Sequence, residues 1–263
     1  HAAVYPGVWA PREADWSPQL RARAAWLWSG RRGVCAGLSA AALLGTRWID
    51  AGLPAQLAHA NRRPPRLIQV HSDTLLPGET QQLDGLVLTT PARTAFDLGR
   101  RLGLTEGVQR VDAVMNATDV TVADIQAVMA AHPGERGLLQ LTETLRFVDP
   151  GADSHYESLT RLMLAQNGFP PVLTQIPVCD ARGRVFAWID LGWPEFKVGV
   201  DFEGAHHWTD PKQREWDAER AALIAERGWL DIRVAAGTLH KRPRAFFDRV
   251  GAALLSRGCP KTW

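Results

Sequence analysis

The stretch 188–207, WIDLGWPEFKVGVDFEGAHH, constrains this chain more than any other. Two strand-like runs meet at a Trp193-Pro194-Glu195 turn, and both carry acidic residues where strands ordinarily carry apolar ones. In the second run Val198, Val200 and Phe202 alternate with Gly199, Asp201 and Glu203. A period of two sets the apolar three on one face and both carboxylates on the other. In the first run Phe186, Trp188 and Asp190 share a face, which points to partial burial of that face. A reversal around Pro194 puts Asp190 roughly opposite Val198 or Gly199 and close to Asp201 across the ladder. Like charges so placed repel, and a cation between them relieves the repulsion. Gly204 lets the chain leave the strand sharply, and His206 and His207 follow at once. The pattern is a metal-site hypothesis, set against the plainer reading of acids on a solvated sheet face.

The rest of the chain is ordinary soluble protein in composition. At 263 residues it has room for one large domain or two modest ones, and 46% apolar with 22% charged residues excludes disorder. A net charge of +2 gives no overall basic field. Lysine occurs only at Lys197, Lys212, Lys241 and Lys261, so Arg makes up 26 of the 30 basic residues (30 − 4). Arg suits bidentate phosphate contacts, although a GC-rich coding bias is the favoured explanation of the excess. Cys35, Cys179 and Cys259 are sparse and far apart, which suits a reducing compartment and gives no zinc spacing. No apolar run approaches a membrane span and no secretory signal is present, so the expected location is cytoplasmic. The chain opens on His1 rather than Met, so a preceding segment is expected.

Residues 1–15 contain the strand-like VYPGVW, and Ser17 with Pro18 marks a helix start that runs to about Ser29. A second, Ala-rich helix begins after Gly37 and ends near Gly45; its small residues imply close packing. Residues 46–90 mix short β-like runs with turns, and within them the basic, kinked NRRPPR places Arg62 and Arg63 in a loop able to touch phosphate. From Pro91 the pattern turns helical, with helices over 91–103, 105–117, 121–131 and 136–148; Thr121 with Asp124 approximates a capping box. Asp149-Pro150-Gly151 is the clearest boundary, dividing a region 1–149 from a domain 150–263. Beyond it the pattern predicts helix 154–167, strands 172–179, 185–191 and 197–203, helix 210–227, strand 230–234 and helix 238–256. That order is α/β, with one mixed sheet flanked by helices.

Three further positions bear on chemistry. Glu157 completes a Ser154-x-x-Glu157 capping box, and a carboxylate in a first helical turn can also face a neighbouring site. Arg220 falls among apolar positions of its helix with Asp217 one turn before it, so the two form either a structural clasp or part of a site. His206 and His207 are adjacent, and their side chains diverge.

Glu157, IDLGWPE, VDFEGAHH, the D-x-x-R of Asp217 and Arg220, and GWLDIRV together resemble the very-short-patch-repair (Vsr-like) branch of the PD-(D/E)XK nuclease superfamily, over about 150–258. The resemblance implies that Asp190 and Asp201 are metal-binding carboxylates and that Glu157 is the acid of the first helix. It sets Glu203 at a motif position where the wider superfamily has Lys, and His206 or His207 near an acid/base role. It also implies one or two Mg²⁺ (or Mn²⁺) ions activating water against a phosphodiester. Asp217, Arg220, Arg62 and Arg63 then support the site or hold DNA. In the first region VYPGVWAP, GLSAAALLG and TTPARTAFDLGRR resemble AbiEi-type antitoxins, implying a partial winged helix followed by a helical middle.

Two functions follow. One is a metal-dependent DNA endonuclease; the other is an antitoxin-like regulator that holds DNA or a cognate toxin on a nuclease fold that no longer cuts. A repair protein is a further conceivable partner, no membrane is involved, and nothing in the chain sets the oligomeric state.

Overall fold

A computed structural model describes residues 1–61, 63–203 and 211–263; of 211–217 it describes the backbone alone. The chain divides into two compact units, His1–Pro150 and Gly151–Trp263. Both mix helices and sheet.

The first unit opens with β1 (Ala2–Tyr5) and β2 (Val8–Ala10), an antiparallel hairpin where a single strand was predicted, because Pro6-Gly7 turns the chain back. Helix α1 (Pro18–Trp28) starts as expected, with Ser17 Oγ accepting the Leu20 amide. Then follow β3 (Val34–Cys35), α2 (Gly37–Leu43), β4 (Ala55–Ala58), β5 (Ile68–His71), β6 (Thr80–Leu83) and β7 (Leu86–Thr89). These strands form a five-stranded mixed sheet in the order β5-β4-β3-β7-β6, with β4–β5 and β3–β7 parallel. The described residues of this region thus hold a sheet of five short strands. Its shortest strand has two residues, too few to show a period in sequence. Leu57, Leu86 and Leu88 pack with Ala22 and Ala25 of α1 in its core.

The helical part comprises α3 (Pro91–Arg101), α4 (Leu104–Ala117), α5 (Val122–Ala131) and α6 (Leu138–Leu145). Both halves of the Thr121/Asp124 capping box are formed. Phe96, Val111, Val114, Ile125 and Leu141 are buried together between these helices.

The second unit runs α7 (His155–Gln166), β8 (Leu173–Cys179), β9 (Val185–Trp193), β10 (Val198–Glu203), α8 (Pro211–Glu226), β11 (Leu230–Ala235), α9 (Ala236–Lys241) and α10 (Pro243–Ser256). The single last helix predicted over 238–256 is two, because Pro243 has no amide to continue α9 and starts α10 instead. The sheet order is β11-β10-β9-β8; β8, β9 and β10 are antiparallel neighbours, and β11 joins β10 in parallel after the α8 crossover. Leu191, Trp193, Val198 and Val200 pack with Leu164 of α7 and with Phe246, Val250 and Leu254 of α10. Ile176 and Ile189 form a second core with Ile224 of α8.

The register differs from the expected one. Trp193 pairs with Val198, Gly192 with Gly199 and Leu191 with Val200, so the next step sets Asp190 against Asp201 rather than against Val198 or Gly199. The reversal is centred between Glu195 and Phe196 rather than on Pro194: Phe196 and Lys197 donate to the Trp193 and Pro194 carbonyls, and β10 resumes at Val198. Gly192 and Gly199 allow the close approach. A Cβ on Gly192 would lie 2.6 Å from the Val198 carbonyl oxygen, and one on Gly199 2.8 Å from Ile189 Cγ2.

Candidate functional site

Where β9 and β10 part, side chains take over from the backbone ladder. Asp201 Oδ1 accepts the Asp190 amide at 3.0 Å, and Asp190 Oδ2 accepts the Phe202 amide at 2.8 Å. Arg220, brought in by α8, donates from Nη1 to Asp201 Oδ2 at 2.7 Å and from Nη2 to the Trp188 carbonyl. One guanidinium therefore ties the two strands together.

Glu157 reaches the same centre from α7. Its amide donates to Ser154 Oγ, but its carboxylate accepts the Asp153 amide at 2.9 Å and Gln175 Nε2 at 3.1 Å. The expected capping box is therefore half formed, and the carboxylate is directed to the loop and to β8 instead. Gln175 stands where β8 pairing steps from Thr174–Leu191 to Ile176–Ile189, with φ of +48°. An L side chain rarely adopts that region, and such strain collects at functional sites. Asp231, paired with Gly199 from β11, adds a fourth carboxylate; its Oδ1 is buried without a hydrogen-bond partner.

Burial and crowding set the charges here. Burial, then Asp201 and Glu157, push the Asp190 carboxyl up to about 7. Burial and Asp201 push Asp231 up to about 6. Burial also raises Glu157. For Arg220 burial works against the charge, yet Asp201, Asp231 and Asp190 together hold it above its ordinary value.

The structure thus brings together Glu157, Asp190, Asp201 and Arg220 and adds Gln175 and Asp231, which sequence reasoning missed. The signal for Asp231 was the acid inside GWLDIRV; Gln175 left none. Glu203 is half-buried, with Oε1 3.8 Å from Arg233 Nη1. Trp188 leaves half its surface exposed and Phe186 and Asp190 are half-buried, so the face is partly covered, as expected. Arg62, His206 and His207 lie outside the described residues, as does the side chain of Asp217. Arg63 is exposed, its amide donating to Asn61 Oδ1.

The Mg²⁺ or Mn²⁺ implied by the resemblance does not fit this arrangement. Both Asp201 oxygens are engaged, one of them by a cation. Among the described residues no three His, Cys, Asp or Glu side chains converge as ligands.

The first unit carries two features of its own. Over residues 16–72 the only acid is Asp50, while Arg21, Arg23, Arg31, Arg32, Arg47, Arg63 and Arg66 recur, interleaved with Trp16, Trp26, Trp28 and Trp48. Arg21, Arg31 and Arg47 lie 5.3, 5.8 and 5.8 Å over the rings of Trp16, Trp26 and Trp48. Because Val34 pairs with Ala58, the turn carrying Arg31 and Arg32 and the start of the loop carrying Arg63 emerge at the same end of the sheet. Trp28 and His59 meet there with ring centroids 6.3 Å apart.

The other feature is a buried ionic cluster on TTPARTAFDLGRR. Arg93, with no exposed surface, donates to Glu79 at 2.6 Å, to Asp97 at 3.0 Å and to the Thr74 carbonyl at 2.9 Å. Arg100 and Arg101 both reach Asp73 at 2.6 Å, and His132 Nε2 lies 2.5 Å from Glu79 Oε1. The sequence shows this helix only as amphipathic, although Arg93, Asp97 and Arg101 are spaced four apart.

Residues 27–146 match the family described as the AbiEi antitoxin C-terminal domain. Two curated proteins of Mycobacterium tuberculosis, from strains CDC 1551 and H37Rv and both named as uncharacterized, are each 26% identical to this chain over 259 residues. The alignments cover 95% of this chain and 91% of theirs. No solved structure matches it. Among the described residues no helix is long and apolar enough to cross a membrane.

Proposed function

We propose that this protein is an antitoxin-like regulator that binds DNA through its first unit, while its second unit keeps a nuclease-like fold in a supporting role. The observation that carries this reading is the run 16–72, with eight arginines against the single acid Asp50. Exposed Arg31, Arg32 and Arg63 at one end of a sheet, beside Trp and His rings, suit phosphate contact and base stacking. The similarity of residues 27–146 to an antitoxin domain supports the same reading; a cognate toxin is the second partner it suggests. In the second unit we read the order helix, three antiparallel strands, helix and parallel strand as PD-(D/E)XK-like, after the resemblance of its motifs.

The test is fluorescence anisotropy of a labelled mixed-sequence duplex with the full chain at low salt. Binding is expected, and the double variant Arg31→Ala/Arg32→Ala should weaken it. Equal affinity of the two proteins, or no binding by a folded chain, overturns the reading.

A second reading, an Mg²⁺- or Mn²⁺-dependent endonuclease acting at Asp190 and Asp201, is favoured by the crowding of four carboxylates. It requires Arg220 to leave Asp201. Metal-dependent nicking of supercoiled plasmid, lost in Asp190→Asn, would establish it.

A further inference from the structure

We propose that Arg220 is the resident cation of the second unit's carboxylate centre, standing where a divalent metal would otherwise bind and keeping that centre metal-free. The geometry carries this. Asp190 and Asp201 face each other at the point where β9 and β10 part, an arrangement that needs positive charge nearby. Arg220 supplies it from α8: one guanidinium nitrogen holds Asp201 Oδ2 at 2.7 Å while the other holds the Trp188 carbonyl on the neighbouring strand. The planar fork of Arg suits this bridging role, which a spherical ion fills only with convergent oxygen ligands.

Three of the four acids are turned to partners that suit an internal guanidinium better than a metal, while Asp231 Oδ1 is buried without a hydrogen-bond partner among the described residues. Asp201 Oδ1 accepts the Asp190 amide, and Asp190 Oδ2 accepts the Phe202 amide, so both carboxylates are turned to the backbone. Glu157 is turned to the Asp153 amide and to Gln175. A divalent ion on Asp201 would sit beside the guanidinium and need the same Oδ2, so metal and Arg220 compete for one carboxylate. The side chain of Arg220 is 23% exposed, enough burial to hold it in one pose.

The competition is read with Mn²⁺ alone, in the absence of DNA, so its outcome is separate from the DNA-binding reading. The electron-paramagnetic signal of free Mn²⁺ is titrated against full-length wild-type protein, Arg220→Gln and Arg220→Lys. Wild-type and Arg220→Lys are expected to leave the signal unchanged. Arg220→Gln should take up Mn²⁺ and lower the free signal, and the uptake should disappear in Arg220→Gln/Asp201→Asn. Uptake by wild-type protein that Asp201→Asn removes overturns the proposal, as does a folded Arg220→Gln that binds no Mn²⁺. Should Arg220→Gln fail to fold, the wild-type and Arg220→Lys titrations decide alone: silence in both supports the proposal and uptake in either overturns it.

Discussion

Asp190 and Asp201 are joined through the backbone rather than through their carboxylates: Asp201 Oδ1 takes the Asp190 amide at 3.0 Å, and Asp190 Oδ2 takes the amide that follows Asp201, that of Phe202, at 2.8 Å. Each acid thus caps the strand of the other. The arrangement keeps two like charges adjacent at the end of a ladder. Its strain is visible in Asp190, which burial and Asp201 push up to about 7.

That shift makes stability depend on pH. A carboxyl held high in the folded state binds more protons there than when unfolded, so stability falls as pH rises. The Asp190 contribution is fully present below the ordinary Asp value of 3.8 and is lost as pH rises to about 7; Asp231 adds a similar loss up to about 6. Thermal melts between pH 4.5 and 7.5 should show a falling midpoint for the second unit. Asp190→Asn should flatten much of the slope, and an unchanged slope would refute the assignment.

Arg93 predicts a large loss in the first unit. Replacing it with Met removes the fully buried cation that Glu79 and Asp97 share, leaving Glu79 to His132 and Asp97 to Arg100 and Arg101. A cost of about 3–5 kcal/mol is expected in urea unfolding. Arg93→Met/Glu79→Gln should be less unstable than the two single changes added together, since the pair is directly coupled.

Gly137 marks another sensitive point. It caps α6 with φ of +84°, and a Cβ there would lie 2.1 Å from the Arg100 carbonyl oxygen. Gly137→Ala combines left-handed backbone with a backbone clash, so about 2–4 kcal/mol should be lost. Gly134→Ala, with a similar φ but open space around it, should lose only the backbone part. Chemical denaturation of the two variants separates these contributions.

For the nucleic-acid face the expectation concerns salt. Each phosphate contact removed should lower the slope of log K against log salt by about 0.9 on duplex DNA. Anisotropy titrations across a salt series should therefore give Arg31→Ala/Arg32→Ala a slope smaller by about 1.8. Arg32→Ala alone should account for about half. A parallel loss in affinity with an unchanged slope would place these residues away from phosphate.

Local signals were read correctly where local physics governs. Ser17 and Thr121 cap their helices because a short oxygen-bearing side chain satisfies an amide three residues on, whatever else surrounds it. The approach of Asp190 to Asp201 was legible because strand, turn and strand are contiguous. The register was not, since it depends on a left-handed Lys197 (φ of +49°) that closes the turn and that no spacing rule reveals. Glu157 was legible only in part for a related reason: its Ser154 cap and its place near a site could be read locally, but Gln175, which takes its carboxylate, is 18 residues away.

Sequence by itself therefore determined the helix starts, the α/β character, the break near Pro150 and the neighbourhood of two acids on adjoining strands. Tertiary structure alone decided which charge answers them. Arg220 meets Asp201 across 19 residues, and Arg93 meets Glu79 and His132 across 14 and 39. The five-stranded sheet of the first unit is likewise assembled from strands of two to four residues, two of whose pairings run in parallel. Ion pairs and parallel ladders of this kind join residues that the chain brings together only on folding. Their partners are selected by burial and by the need to leave no charge unanswered in a low-dielectric interior, and neither condition is written in the spacing of residues along the chain.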